Sequence, residues 1–180
     1  MKTAWIIAAS VAVVVAADAA AAQLAAGAGS FPPPDVIVLV DSVGKSAARS
    51  LNETVMLITI SSGVAAPALI RPIYDGDGRT ASGWATWQSG GSVLFTSPDC
   101  TTGAYVYSST PAGTRATTQV QTSAGIMLYV GAIGTATMVA VHSILYDTGC
   151  SPVTVQQNGL LPVLATINLT TAYPPPLSFQ

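Results

Sequence analysis

From Val36 onward the chain is written as short apolar runs rich in Val, Ile and Thr, each stopped by Gly, Pro, Asp or Ser. Val36–Val40 ends at Asp41-Ser42-Val43-Gly44, and Thr54–Ile60 ends at Ser61-Ser62-Gly63. Such runs are too short and too β-branched for helices, and their punctuation is turn chemistry. Strand candidates recur about every 10 residues, the spacing of an all-β domain. They include Trp84–Trp87, Ser92–Thr96, Tyr105–Tyr107, Thr117–Thr122, Ile126–Val130 and Thr137–Tyr146. Pro67 and Pro72 confine Ala68–Tyr74 to an edge or a broken strand, because proline donates nothing to a ladder. Val153–Val155 and Val163–Leu169 close the sheet, and Ala172–Pro176 ends regular structure. No convincing amphipathic helix appears after Ala22. The expectation is an antiparallel β-sandwich or small barrel following an N-terminal signal helix.

The N-terminus reads as an export signal. Lys2 precedes the apolar run Ala4–Ala17, which is shorter than the roughly 20 residues a membrane span needs. Asp18 interrupts it, and Ala20-Ala21-Ala22 before Gln23 supplies small residues for cleavage, better than Ala17-Asp18-Ala19. The alternative is an uncleaved anchor prolonged by alanine through Ala22. Residues 1–22 are therefore expected to be a signal peptide, and 23–35, with Phe31-Pro32-Pro33-Pro34, a linker. Residues 36–180 are expected to form one disulfide-stapled β-domain. The alanine-rich signal looks bacterial, with a periplasmic, extracellular or cell-surface destination and no membrane attachment after cleavage.

Charge removes one class of partner. Only 8% of residues are charged and the net charge is −2, against about 25% charged in ordinary soluble domains. A nucleic-acid binder needs clustered Lys and Arg to neutralise phosphates. Export also gives meaning to the two cysteines. Cys100 and Cys150 lie in turn-like contexts, Pro98-Asp99-Cys100-Thr101 and Thr148-Gly149-Cys150-Ser151, and are expected to form one bridge. Two isolated Cys and one distant His make no metal site of known spacing, and no Cys-x-x-Cys redox pair occurs. No cofactor is expected.

Catalytic motifs are mostly missing. There is no nucleophile elbow, no zinc-protease helix motif and no phosphate loop. His142 invites a triad with Ser143 or Asp147, but adjacent residues of a strand face opposite ways. The competing reading is a partly buried histidine on a sheet face. Asp75-Gly76-Asp77-Gly78 suggests calcium, yet Arg79 and Thr80 stand where an EF-type loop needs an oxygen donor and glycine. A turn is the better reading. Only a few acids remain for paired-carboxylate chemistry, and nearly all lie in turns. Trp84, Trp87, Tyr105 and Tyr107 are the candidate binding aromatics, able to stack on sugar rings or anchor a protein interface. The odd spacing of Trp84 and Trp87 places them on opposite faces of a regular strand, one towards the core and one exposed. The competing reading is that all four aromatics simply fill a sandwich core. Asn52-Glu53-Thr54 and Asn168-Leu169-Thr170 match the glycosylation sequon.

Four segments carry a resemblance. These are Val40-Asp41-Ser42-Val43-Gly44-Lys45, the stretch Val93–Tyr105 around Ser97-Pro98-Asp99-Cys100, Asp147-Thr148-Gly149-Cys150, and the tail Asn168–Phe179. Together the chain from Val36 onward resembles uncharacterised exported or tail-fibre-like β-domain proteins of proteobacteria. The resemblance implies an extracytoplasmic β-domain, often joined to fibrous or collagen-like segments, and no catalytic residues. The expected function is a non-catalytic surface, adhesion or interaction module with a protein or glycan partner and possible self-association. A hydrolase with a triad assembled from distant loops and a structural envelope component are the alternatives.

Overall fold

The computed structural model describes residues 38–52, 54–60, 65–78, 81–108 and 114–180. The expected signal peptide and linker lie outside the described residues. The chain divides into Met1–Asp35 and Val36–Gln180, and the described residues all belong to the second unit.

The fold is all-β and antiparallel, as expected. Its strands are β1 (Val38–Val40), β2 (Ser46–Asn52), β3 (Val55–Thr59), β4 (Ala65–Tyr74), β5 (Ala81–Trp87) and β6 (Val93–Phe95). They continue with β7 (Ala104–Tyr107), β8 (Thr117–Thr122), β9 (Gly125–Gly131), β10 (Thr137–Tyr146), β11 (Gly149–Asn168) and β12 (Leu177–Phe179). One helical turn, α1 (Leu169–Ala172), separates the last two strands.

Six strands close into a barrel in the order β1-β12-β5-β4-β3-β2. Period-two alternation sends Met56 and Ile58 of β3, Ala68 and Ile70 of β4, and Ala85 and Trp87 of β5 into one core. Leu39 and Leu177 join it from β1 and β12, and Leu128, Val130 and Leu169 extend it into β9 and α1. The remaining strands form a second sheet, β10-β6-β7-β11-β9-β8, in which β10 also pairs β11. Strand β6 is buried on both faces: Val93 and Phe95 pack with Val120, while Leu94 packs with Val141 and Leu160.

Strand β4 corrects the expectation drawn from its prolines. It is continuous and internal, with β3 on one side and β5 on the other. The backbone amide of Ile70 donates to Thr54 O, towards β3, whereas Leu69 O accepts from Gln88 N on the β5 side. Pro67 shares the parity of Leu69 but lies beyond the β5 end, where β5 has already finished at Trp87↔Ile70. Pro72 shares the parity of Ile70 but lies beyond the start of β3, which begins at Val55↔Leu69. Each proline therefore lacks its N–H where no ladder bond was available.

Three further differences come from long-range pairing. Strand β2, Ser46–Asn52, has no apolar run to announce it, yet it pairs both β1 and β3. Val153–Val155 and Val163–Leu169 are not two strands, because most of both stretches lies in the single long β11, which ends at Asn168. It pairs with β10 first, with β7 at Leu160–Pro162, and with β9 from Val163. Regular structure also resumes after the proline run, since β12 closes the barrel between β1 and β5.

Tight contacts hold the sheets together. The Gln119 side chain of β8 is 3% exposed and lies between strands of the barrel. Its Oε1 accepts from Leu69 N, and its Nε2 donates to Leu69 O and to Gln88 O. One amide thus stands in for a short piece of strand where β5 has ended. Thr117 Oγ1 donates to Pro67 O at 2.8 Å, satisfying the next free carbonyl. Gly91 comes so close to β8 that a Cβ there would stand 1.9 Å from Thr118 Oγ1.

Candidate functional site

The disulfide is present, with Cys100 and Cys150 bonded across 50 positions. It pins the β6–β7 loop to the start of β11. That loop is organised by short polar side chains. Ser97 Oγ accepts from Thr101 N and Thr102 N, and Thr101 Oγ1 donates to Asp99 Oδ1 at 2.7 Å. The hydroxyls of Thr101 and Ser97 hold the Asp99 carboxyl below its ordinary range. Gly103, at φ +67°, allows the loop to pass over Thr96, where a Cβ would stand 1.9 Å from the hydroxyl.

The triad invited by His142 does not assemble from its sequence neighbours. Ser143 is fully buried and its hydroxyl is committed: it donates to Ser97 O at 2.6 Å and accepts from Cys100 N at 3.0 Å. Asp147 accepts from Ser89 Oγ at 2.8 Å and from Gln121 N at 2.6 Å. Half-buried His142 lies on the opposite face of β10 from Ser143, as strand geometry requires. Asp75–Gly78 is a turn between β4 and β5, closed by Gly78 N donating to Asp75 O at 2.8 Å. Among the described residues no group of acids, histidines and cysteines is arranged to hold a metal. Asn168, in the second sequon, caps α1 through Oδ1 and donates Nδ2 to Ala124 O.

The four candidate aromatics separate. Trp87 is 3% exposed and points into the barrel, where Nε1–H donates to Tyr173 O at 2.9 Å. Trp84 points outward and is 46% exposed. Tyr105 packs against the Leu94–Val141–Leu160 cluster. Tyr107 is exposed, but it stands on β7 in the second sheet, which shares no strand pairing with β5. Among the described residues Trp84 is thus the one exposed indole, and Tyr105 and Tyr107 belong to the other sheet.

Trp84 has neighbours that composition did not announce. It stands opposite Ile73, also exposed, and the next pair on the same face is Arg71↔Thr86, two residues along each strand. Alternation puts Arg71, Ile73, Trp84 and Thr86 on the outward face of β4–β5. At the Thr86 end the face opens into a cavity of about 310 Å³, lined by Arg71, Thr86, Gln88, Ser89 and Gln121 with Trp87 and Ile126 beneath. A neighbouring cavity of about 230 Å³ shares Gln88 and Ser89 and runs on to Leu69 and Gln119. The cavity walls come from three places: the β4–β5 hairpin, the chain just beyond β5, and the β8–β9 hairpin. Asp147, in the β10–β11 turn, fastens the last two by holding Ser89 and Gln121 together.

Arg71 and Gln121 were missed as site residues in the sequence. The one available signal was Arg71 itself, a cation inside the apolar stretch Ala68–Tyr74 and, by parity, on the same face as Ile73. Among the described residues no helix is long and apolar enough to cross a membrane. Comparison with family models, with curated proteins and with solved structures finds no match to this chain.

Proposed function

We propose that this chain is an exported, non-catalytic interaction module whose contact surface is the outward β4–β5 face around Trp84. One observation carries this reading. An exposed tryptophan stands in register with an exposed isoleucine beside an open, polar-walled cavity. Large rigid aromatics at such positions supply contact area at low entropic cost. The groups a triad would draw from the neighbourhood of His142 are committed to backbone and loop contacts instead. The disulfide agrees with an oxidising compartment, and the signal-like N-terminal sequence and the resemblance to tail-fibre-like β-domains support an extracytoplasmic destination.

The test has two arms. Mass spectrometry of the protein recovered from a bacterial periplasm should find an N-terminus at Gln23, and retention of Met1 or Lys2 would remove the export half. Fluorescently labelled protein should bind features of protein and glycan arrays, and Trp84→Ala should lose that binding while keeping its circular dichroism spectrum. Binding indifferent to Trp84→Ala would overturn the surface assignment. Turnover of ester, peptide or glycan substrates that vanishes in His142→Ala would restore the hydrolase alternative.

A further inference from the structure

We infer that the cavity beside Trp84 is a carbohydrate subsite for a pyranose ring carrying a carboxylate, a hexuronate residue of an acidic polysaccharide. This rests on the interaction surface proposed above and names its ligand class.

Size and polarity come first. The volume of about 310 Å³ stands at the lower end of small-ligand clefts, which run from about 300 to 1,000 Å³. That suits one or two sugar units. The walls offer the side chains of Thr86, Gln88, Ser89 and Gln121, a mixture of donors and acceptors. Such a mixture matches a ring of hydroxyls, which both donate and accept. The Ser89 hydroxyl is already polarised: it donates to Asp147 Oδ2, so its lone pairs face a ligand as acceptors. Asp147 is not part of the cavity lining; its two oxygens accept from Ser89 Oγ and Gln121 N behind that wall.

Charge selects the kind of sugar. Arg71 is the only charged side chain in the cavity wall, and no ion pair holds it among the described residues. A planar guanidinium matches a carboxylate with two parallel hydrogen bonds, in a way a neutral hydroxyl does not reproduce. Trp84 supplies the remaining element. It lies two residues from Thr86 on the same face, about 7 Å along the strand. A ring seated between Arg71 and Gln121 would place its neighbour in the polysaccharide over the indole. Trp84 would then be the stacking platform and Arg71 the charge reader.

Other occupants fit less well. Within the closed barrel, β4 lies between β3 and β5, and β5 between β4 and β12. Where β5 has ended, the Gln119 and Thr117 side chains already occupy the exposed backbone groups of β4, so little edge is left on which a peptide could add as a strand. One arginine does not hold a polyphosphate backbone.

The test is titration of the folded, oxidised protein with oligogalacturonate and with its neutral galactose counterpart, read by calorimetry and by tryptophan fluorescence. The acidic oligosaccharide should bind at least about tenfold more tightly than the neutral one, and Arg71→Gln should erase that difference. Trp84→Ala should weaken both. Arg71 and Trp84 are exposed, so both variants should keep the wild-type thermal midpoint. Equal binding of the two sugars, unchanged by Arg71→Gln, would overturn the carboxylate assignment and leave the Trp84 surface standing. No sugar binding, with a protein from the arrays bound in a Trp84-dependent way, would overturn the carbohydrate subsite alone. Sugar binding that survives both substitutions would overturn the site and the surface together.

Discussion

The buried hydroxyl of Ser143 on β10 accepts the backbone N–H of Cys100 at 3.0 Å and donates to Ser97 O at 2.6 Å. One side chain thereby satisfies two backbone groups of the loop that carries the disulfide. The φ of Cys100 is +56°, a backbone state that side chains other than glycine rarely adopt. Ser143→Ala leaves both groups without that partner and should cost about 1–3 kcal/mol. Urea unfolding of the two proteins would measure it, and an unchanged midpoint would show that the hydroxyl does not hold the loop.

Breaking the Cys100–Cys150 bond reopens a closed loop spanning 50 positions. Loop-closure entropy for that length gives roughly 4 kcal/mol. The double substitution Cys100→Ala with Cys150→Ala should lower the unfolding free energy by an amount of this order. The far-ultraviolet spectrum should stay that of a β-protein, because the barrel core lies elsewhere. A loss below about 1 kcal/mol would contradict the entropic account.

Gln119 should be the most sensitive polar position in the fold. Its amide meets both a donor at Leu69 N and acceptors at Leu69 O and Gln88 O. Gln119→Met should destabilise by about 2 kcal/mol or more through the groups left unpaired. Gln119→Glu should be worse at neutral pH, since it places a buried charge against two carbonyls. Thermal denaturation of the pair would rank them, and the reverse order would contradict this geometry.

The two tryptophans should behave oppositely. Trp84→Ala removes an exposed ring and should change stability by less than about 1 kcal/mol. Trp87→Ala empties the barrel and strands Tyr173 O, at about 3–5 kcal/mol. Thermal melts of both variants would compare them. Similar losses would mean that the outward and inward faces of β5 had been misassigned.

Asp99 sets a pH window. Its carboxyl is held below the ordinary aspartate value by the Thr101 and Ser97 hydroxyls. A lowered folded value means that the charged form favours the folded state. Its contribution is present above the unfolded value of about 3.9 and is lost as pH falls through the folded one. The wild-type urea midpoint should therefore fall below about pH 4 more steeply than that of Asp99→Asn. Parallel profiles would deny the linkage.

The segments that carried the family resemblance prove to be contacts that close the fold. The opening Asp41–Lys45 turn meets the tail: Ser42 N donates to Pro174 O, and Lys45 Nζ donates to Ala172 O above the Tyr173 ring. Within the turn, Asp41 Oδ1 accepts from Val43 N and Lys45 N. The second and third segments are joined by the disulfide. Motifs visible in the sequence thus mark places where the polypeptide is stapled to itself. Trp84 was visible as a candidate, whereas Arg71, Ser89 and Gln121 were not. Their significance arises only where hairpins far apart in sequence meet.

The sequence by itself determined what local sterics and solvation decide. It determined the strand class through short β-branched runs, the turns through Gly, Asp and Pro, and the opposite facing of Trp84 and Trp87 through odd spacing. Two cysteines in turn-like contexts, with the export expected of the N-terminus, were enough to expect the bridge. The tertiary structure decided everything that depends on which strand lies beside which. It admitted Pro67 and Pro72 into an internal strand, because each falls where its neighbour is missing. It made β11 one strand with three partners, and it brought β12 back to close the barrel. It also built the cavity from Arg71 and Gln121, 50 positions apart. Alternation and turn preference act within a few residues of chain. Register and closure are selected by the burial of a shared core, which only the assembled sheets possess.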